Sequence, residues 1–256
     1  MKTNQVTKYL FKKQIVLLGE LYLFAFAIIF LLPLLLSVIS GTLSDYSFVG
    51  LLKGAHIAAL FGIFMIAIST LSYENFKFLI QNGISRKTFF EAQLTVYGIL
   101  ILIGNTINLF YDYLIVVPLT HASTFNTFMS LYADFFDNPF VSVTFNFIFS
   151  ALLLVFGALA GMTVGSFMTL FSKLTQRIIL IATPVVGVVT MAYVANATNN
   201  AHYQMSWVVN FAKFIIGENG NDVLNPFPMM GFLLVLSAIM IVIIRYLFAK
   251  KQLKKA

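Results

Sequence analysis

The chain has 256 residues, of which 60% are hydrophobic and only 10% are charged, and its mean hydropathy is +0.92. A soluble domain has about 25% charged residues, so this chain has too few charges to cover a surface in water, and we expect most of it to lie in lipid. The sequence contains no cysteine, which excludes a disulfide framework, a thiolate metal site and a cysteine nucleophile.

Long apolar stretches predict the transmembrane helices. A helix that crosses the bilayer needs about 20 mostly apolar residues. Six stretches reach that length, at residues 21–40, 55–71, 89–117, 141–170, 178–195 and 229–248. The first is too long for the core of a signal peptide, so we interpret it as a retained helix. The predicted fold is an all-α polytopic membrane protein with six transmembrane helices and a single transmembrane domain over residues 1–256.

The positions of Lys and Arg predict the orientation of these helices. Fourteen of the 16 basic residues precede the first span, follow the sixth, or lie between spans two and three or four and five. The other two are Lys53 and Lys213. Because cytoplasmic loops are enriched in Lys and Arg, we expect both termini to be cytoplasmic. The basic residues form no single patch, so we expect lipid contacts and no nucleic-acid partner.

A polar segment, SYENFKFLIQNGISRKTFF, lies between the second and third spans. Its apolar residues recur at helical spacing and predict a short amphipathic helix. Gly83 suits the left-handed position after a helix, with Ile84 packing back on Leu79 in a Schellman arrangement, and Ser85 is a natural N-cap for the next helix. Two interpretations remain open: an interfacial connector, or a coupling helix that inserts into a cytoplasmic ATPase.

The stretch YENFKFLIQNGISRKTFFEAQL resembles the loop between spans two and three of ABC-2-type transporter permeases, in which a coupling helix precedes a turn of the form NG-(V/I)-S-R-(K/R). The six-span layout and the long outer segment between spans five and six also resemble that family. One departure is the short segment before span one, where many members carry a cytoplasmic interface helix. The resemblance implies that ATPase contacts are made by Tyr73, Glu74, Phe76, Lys77, Gln81, Asn82, Gly83, Ser85, Arg86 and Lys87.

The same resemblance implies a permease subunit of an ATP-driven exporter. The nearest look-alike to a P-loop, GISRKT, lacks the second glycine before Lys87, so this chain is expected to bind no cofactor itself. ATP and Mg²⁺ would be bound by a partner ABC ATPase, beside a second permease subunit. The bias toward Phe, Ile, Asn and Lys suggests a bacterial source with an AT-rich genome, so the expected location is the bacterial cytoplasmic membrane. The apolar walls suit a hydrophobic or amphipathic substrate, such as a peptide, a drug or a lipid-linked molecule.

Polar residues interrupt the third span at regular spacing. Asn105, Asn108 and Asp112 fall at i, i+3 and i+7, which is one face of a helix. Polar groups in lipid usually face the interior of the bundle or water. The strip therefore either lines a substrate pathway or forms hydrogen bonds between helices.

Small residues mark the fourth span. Gly157, Gly161 and Gly165 form two consecutive G-x-x-x-G steps, which permit close approach of another helix. The partner is either a helix of the same chain or a second subunit across a dimer seam.

An aromatic stripe lies between spans five and six, at Tyr203, Trp207, Phe211 and Phe214. Trp and Tyr favour the membrane interface, so we expect an interfacial or re-entrant helix that ends near Gly217. It either caps the outer mouth of a pathway or anchors the chain.

Two other classes of function are alternatives to the permease. An intramembrane hydrolase would need clustered ligands or a nucleophile with its base; the three histidines show no such spacing, and we expect no catalytic and no metal site. A self-sufficient secondary transporter or channel would carry ionisable residues near the midplane. The acidic residues lie toward the ends of the spans, so this class is kept as an alternative.

Overall fold

The computed structural model describes residues 2–121, 125–199, 206–218, 220 and 223–250, and all regular structure in these residues is helical. Two short π-helical turns, Ala27–Leu31 and Asp112–Val116, join consecutive helices. The α-helices are α1 (Lys2–Phe26), α2 (Leu32–Ile39), α3 (Phe48–Gly54), α4 (Ile57–Thr70), α5 (Tyr73–Gln81), α6 (Arg86–Tyr111), α7 (Val117–Thr120), α8 (Thr127–Tyr132), α9 (Pro139–Met168), α10 (Lys173–Asn199), α11 (Ser206–Ile216) and α12 (Pro226–Lys250).

Six helical stretches in the described part of the chain are long and apolar enough to cross a membrane. They are Thr3–Ile39, Ile57–Gln81, Arg86–Thr120, Pro139–Met168, Lys173–Tyr193 and Pro226–Lys250. The number of apolar spans predicted from the sequence is therefore confirmed, and it indicates a multi-pass membrane protein. A shorter apolar helix, Trp207–Ile216, lies between the last two spans.

The first helix is much longer than the sequence predicted. It begins at Lys2 rather than near Leu21, and the stretch Thr3–Ile39 contains 37 residues. At 1.5 Å per residue this corresponds to about 55 Å, which exceeds the roughly 30 Å of bilayer hydrocarbon. The part of α1 that precedes residue 21 is amphipathic. Residues spaced i, i+4 on one face of this part are buried, while the residues on its other faces are half-buried or exposed. The buried residues on that face are Val6, Leu10, Gln14 and Leu18.

The main hydrophobic core lies where α1, α4, α6 and α9 meet, with the end of α12. Phe61, Met65, Leu100 and Ile244 are fully buried there. A second apolar cluster packs α8 against α9 and α12, around Phe128. The two clusters lie toward opposite ends of the bundle, so the spans are held together along their length.

The helix α10 is packed differently from the other spans. None of its described side chains from Lys173 to Tyr193 is buried, although its sequence is strongly apolar. The helix runs through Pro184 without interruption. Such a helix is suited to a surface covered by lipid or by protein rather than by the rest of this chain.

Both described ends of the chain meet at one end of the bundle. The Nζ atom of Lys13 in α1 donates a hydrogen bond of 2.8 Å to Oδ1 of Asn75 in α5. The Nη1 atom of Arg86 donates a hydrogen bond of 2.6 Å to the carbonyl oxygen of Ala249, near the end of α12. We call this the basic end. The other end, where α8 and α11 lie, is called the opposite end.

Candidate functional site

The first candidate site is the segment from Tyr73 to Lys87, which we call the coupling segment. Its helix α5 ends in a Schellman motif: the N–H of Ile84 donates to the carbonyl of Leu79 and the N–H of Gly83 to that of Ile80, both at 3.0 Å. Gly83 has φ = +76°, which favours glycine. The predicted helix stop is therefore confirmed.

The next helix begins with the predicted cap. The Oγ atom of Ser85 accepts a hydrogen bond of 3.1 Å from the backbone N–H of Thr88, which satisfies one of the free donors at the start of α6. The stop and the cap are separated by a single residue, Ile84. The turn between α5 and α6 consequently has a single, locally determined shape.

An aromatic cluster holds the coupling segment on the bundle. Phe76 of α5, Phe89 of α6 and Phe248 of α12 are buried, with ring centroids 5.5 to 6.0 Å apart. Tyr9 of α1 stacks on Phe78 at 5.9 Å. The helix α5 therefore contacts three other helices of the bundle, α1, α6 and α12.

The residues expected to contact an ATPase fall into two groups. Phe76 is buried, and Tyr73 and Lys77 are half-buried, so these three join the segment to the bundle. Lys87 forms an ion pair of 3.8 Å with Glu91, which is exposed and therefore weak. The exposed group, available to a partner, comprises Glu74, Gln81, Asn82, Gly83, Ser85, Arg86 and Lys87.

The second candidate site is a cavity of about 470 Å³ between α4, α6 and α9, which we call the amide cavity. Asn105, Asn108 and Asp112, predicted to share one face, all line it. Its other polar residues come from α8, α9 and the residue preceding α8, and were not identified from the sequence. They are Asn126, Thr127, Asn146 and Ser150.

Hydrogen bonds show that the polar strip also joins helices. Asn105 Nδ2 donates to the carbonyl of Phe147 in α9 at 2.9 Å, and Asn108 Oδ1 accepts from the hydroxyl of Tyr22 in α1 at 3.0 Å. Both asparagines are buried. The two interpretations of this strip are therefore compatible, because the same residues connect helices and line a cavity.

Asp112 lies at a helical irregularity, eight residues before the end of its helical stretch Arg86–Thr120. The π-helical turn Asp112–Val116 begins at this residue, and the helix continues to Thr120. Such turns are frequent at functional sites. The Oδ2 atom of Asp112 accepts a hydrogen bond of 3.3 Å from Nδ2 of Asn126.

The polar lining that the sequence analysis missed had a detectable signal. Asn146 and Ser150 are spaced i, i+4 within the apolar α9, and Ser150 Oγ donates to Asn146 Oδ1 at 3.3 Å. Asn146 Nδ2 also donates to the hydroxyl of Tyr113 at 3.2 Å. Asn126 carried no such signal, because only the fold brings its loop back to α6.

The glycines of α9 lie against α4 of the same chain. A side chain at Gly161 would meet the carbonyl oxygen of Ile66, and one at Gly165 would overlap the carbonyl oxygen of Thr70. At Gly157 it would meet the side chain of Ile66. The structure thus places this small-residue face inside the subunit.

The aromatic stripe predicted between spans five and six lies on α11 as far as the structure describes it. Trp207, Phe211 and Phe214 are spaced i, i+4, i+7 and are more than half exposed. Tyr203 lies outside the described residues. The helix ends before Gly217, as predicted, and Gly217 has φ = +87°.

A buried tyrosine joins α8 to the end of α11. The Tyr132 hydroxyl donates a hydrogen bond of 3.2 Å to the carbonyl of Ile216. Burial raises the pKa of Tyr132 above its usual value. The protonated form that donates this bond is therefore favoured.

Comparison of the chain with family models, with curated proteins and with solved structures finds no match. Among the described residues, no group of three or more His, Cys, Asp or Glu side chains is placed to hold a metal ion. Inferences about function therefore depend on the two sites described above.

Proposed function

We propose that this chain is the transmembrane permease subunit of an ATP-driven exporter in a bacterial cytoplasmic membrane. A separate ABC ATPase would bind ATP and Mg²⁺ and would contact the coupling segment from the cytoplasm. A second permease subunit would complete the complex. The substrate would be hydrophobic or amphipathic and would move outward.

One observation carries this proposal: the coupling segment is exposed and yet firmly held. Its turn is closed by a Schellman motif and an N-cap, and its helix is anchored by Phe76 in an aromatic cluster. A connector that only reverses the chain does not require such anchoring. A rigid, polar, exposed projection with a basic edge is suited to a cleft on another protein.

The contacts of the coupling segment suggest how force would be transmitted. The segment connects α4 directly to α6, and α4 lies against the glycine face of α9. Because these contacts are between backbones, α4 and α9 have little freedom to slide without moving together. Displacement of α5 by a closing ATPase would therefore tilt α4 and α6 and change the width of the amide cavity between them.

Negative charge introduced on the exposed edge tests the proposal. We expect the double variant Gln81→Glu, Lys87→Glu, purified from its source membrane, to retain less than a tenth of the P-loop ATPase that accompanies the unmodified chain. Both side chains are exposed, so folding should be unaffected. Lys53→Glu, an exposed charge reversal beside the opposite end, is the matched control and should retain the ATPase.

Two results would contradict the proposal. One is a purified unmodified chain that carries no ATP-hydrolysing companion. The other is a double variant that elutes as folded protein and keeps its ATPase at the level of the Lys53→Glu control. Hydrolysis of ATP by the captured complex, measured with and without the substitutions, separates a true partner from an accidental contaminant.

A secondary transporter is the second candidate, because Asp112 is an ionisable group that lines a cavity within a span. Reconstitution of the purified chain into liposomes separates the two functions. Uptake driven by an ion gradient without any ATPase would support the secondary transporter. Transport that requires the ATPase and ATP would support the permease.

A further inference from the structure

We propose that the amide cavity binds an amphiphile with a primary or secondary ammonium head and a single apolar tail. This inference concerns a binding site within one chain and does not depend on the ATPase.

The amide cavity is elongated and polar at only one end. Along α9 its lining runs from Asn146 to Ala160, which corresponds to about 20 Å at 1.5 Å per residue. Asp112 and Asn126 lie toward the opposite end of the bundle, whereas Ile66 and Ala160 lie deeper and are apolar or small. A volume of about 470 Å³ is within the range of small-molecule sites. A molecule with a polar head and an apolar tail fits this division.

The side of the amide cavity is open to the surroundings of the bundle. Ile63 of α4 and Leu153 of α9 line it and remain 64% and 43% exposed. In a membrane, that surface faces lipid tails. An amphiphile can therefore enter sideways from the bilayer while its tail remains in an apolar environment throughout.

The charge within the amide cavity selects a cation. Asp112 is the single carboxylate in its described lining, and that lining contains no Lys or Arg. His56, which precedes α4, interacts with Asp112 but is exposed and lies outside the cavity lining. An anionic head would be repelled by Asp112, and a neutral head would leave the carboxylate without a counter-charge.

The hydrogen-bonding groups favour a head that carries N–H donors. Among the described residues, Asp112 accepts one hydrogen bond, through Oδ2, and Asn105 uses its Nδ2 atom as a donor, which leaves Asp112 Oδ1 and Asn105 Oδ1 as available acceptors. An ammonium can donate to Asp112 Oδ1, whereas Asn105 lies seven residues away along the helix, about 10 Å deeper at 1.5 Å per residue, where it can accept a hydrogen bond from a second donor group of a longer head. A quaternary ammonium supplies the charge but no donor, so it should bind more weakly.

Binding of tritiated dodecylammonium to the purified chain in dodecyl maltoside micelles tests the inference. We expect saturable binding, weakened at least about tenfold by Asp112→Asn, since the negative charge that strengthens the hydrogen bond from the ammonium is lost while the side-chain shape is kept. Asp134→Asn, an exposed carboxylate outside the cavity lining, is the matched control and should bind normally. Ala59→Phe, which fills the cavity from an exposed position of α4, should also weaken binding without altering the charge.

Competition experiments define the head and its source. Dodecyltrimethylammonium should displace the probe weakly and dodecyl sulfate should not displace it. Displacement by lysophosphatidylethanolamine, a single-tailed lipid with an ammonium head, would assign the site to a membrane lipid. A failure of that lipid to compete would assign the site to a free amphiphile with the same kind of head.

Equal binding by the Asp112→Asn and Asp134→Asn variants, with both eluting as folded protein, would overturn the inference. So would displacement by dodecyl sulfate as efficient as that by unlabelled dodecylammonium. Because these assays contain no ATP and measure binding to a cavity within this chain, their outcome is independent of the permease proposal.

Discussion

The close contact between α4 and α9 permits a sharp test of the packing. In Gly165→Ala, the added Cβ would overlap the carbonyl oxygen of Thr70 and lie 2.9 Å from that residue's carbonyl carbon and Cα. These are backbone atoms, so no side-chain rotation can relieve the overlap, and the two helices must separate. Overpacking of this kind costs about 1–3 kcal/mol.

A second glycine provides the matched control for this experiment. Gly231 lies within α12, and a Cβ built there meets nothing within 4 Å. Replacement of a helical glycine by alanine gains about 0.5–1 kcal/mol through backbone entropy, and both variants share that gain. The difference in unfolding free energy between Gly165→Ala and Gly231→Ala therefore isolates the steric cost.

The assay is thermal unfolding of the purified variants in detergent. For a chain of this size, 1–3 kcal/mol corresponds to about 2–12 °C, with Gly165→Ala the less stable variant. Equal melting temperatures for the two variants would refute the reasoning, because they would show that α4 and α9 do not approach at backbone distance. A lower melting temperature for Gly231→Ala alone would place the close contact on α12 instead.

Two further predictions concern local geometry and pH. Gly83→Ala should lower the free energy of unfolding by about 1 kcal/mol, because φ at Gly83 is positive although the surrounding space is open. Gly98→Ala is the control, because Gly98 lies in open space within α6, and this variant should keep its stability. The melting temperatures of the two variants are compared. Tyr132→Phe should cost about 1 kcal/mol at pH 8 through the lost bond to Ile216. Because burial raises the pKa of Tyr132 in the folded chain, the unfolded chain loses this proton first as the pH rises. The unmodified protein should therefore lose stability above pH of about 10 more steeply than Tyr132→Phe. Parallel plots of stability against pH for the two proteins would contradict this prediction.

The coupling segment could be predicted in detail because its geometry depends on near neighbours in the chain. The helix stop at Gly83 and the cap at Ser85 each involve hydrogen bonds between residues three to five positions apart. Such bonds follow from the order of residue types alone. The anchoring of the same segment by Phe248 joins distant parts of the chain, and no local pattern indicated it.

Only part of the lining of the amide cavity could be predicted from the sequence. One helical face of α6 was recognisable from the spacing of its polar residues, and that face does line the cavity. The residues that complete the site, including Asn126 and Asn146, come from other elements. Their approach depends on how α8 and α9 turn toward α6, which a single helix does not encode.

The sequence by itself determined the number of apolar spans, the turn at the basic end and the end of α11 before Gly217. Tertiary structure decided the rest: α1 extends to Lys2, the glycines of α9 meet α4, and α10 has no buried side chain in its described part. The physical reason is that lipid is as apolar as the protein core, so a uniformly apolar helix does not reveal which face it buries. The buried face of each helix is determined by side-chain shapes, glycine contacts and a few buried hydrogen bonds. These interactions act between helices that are far apart in the chain.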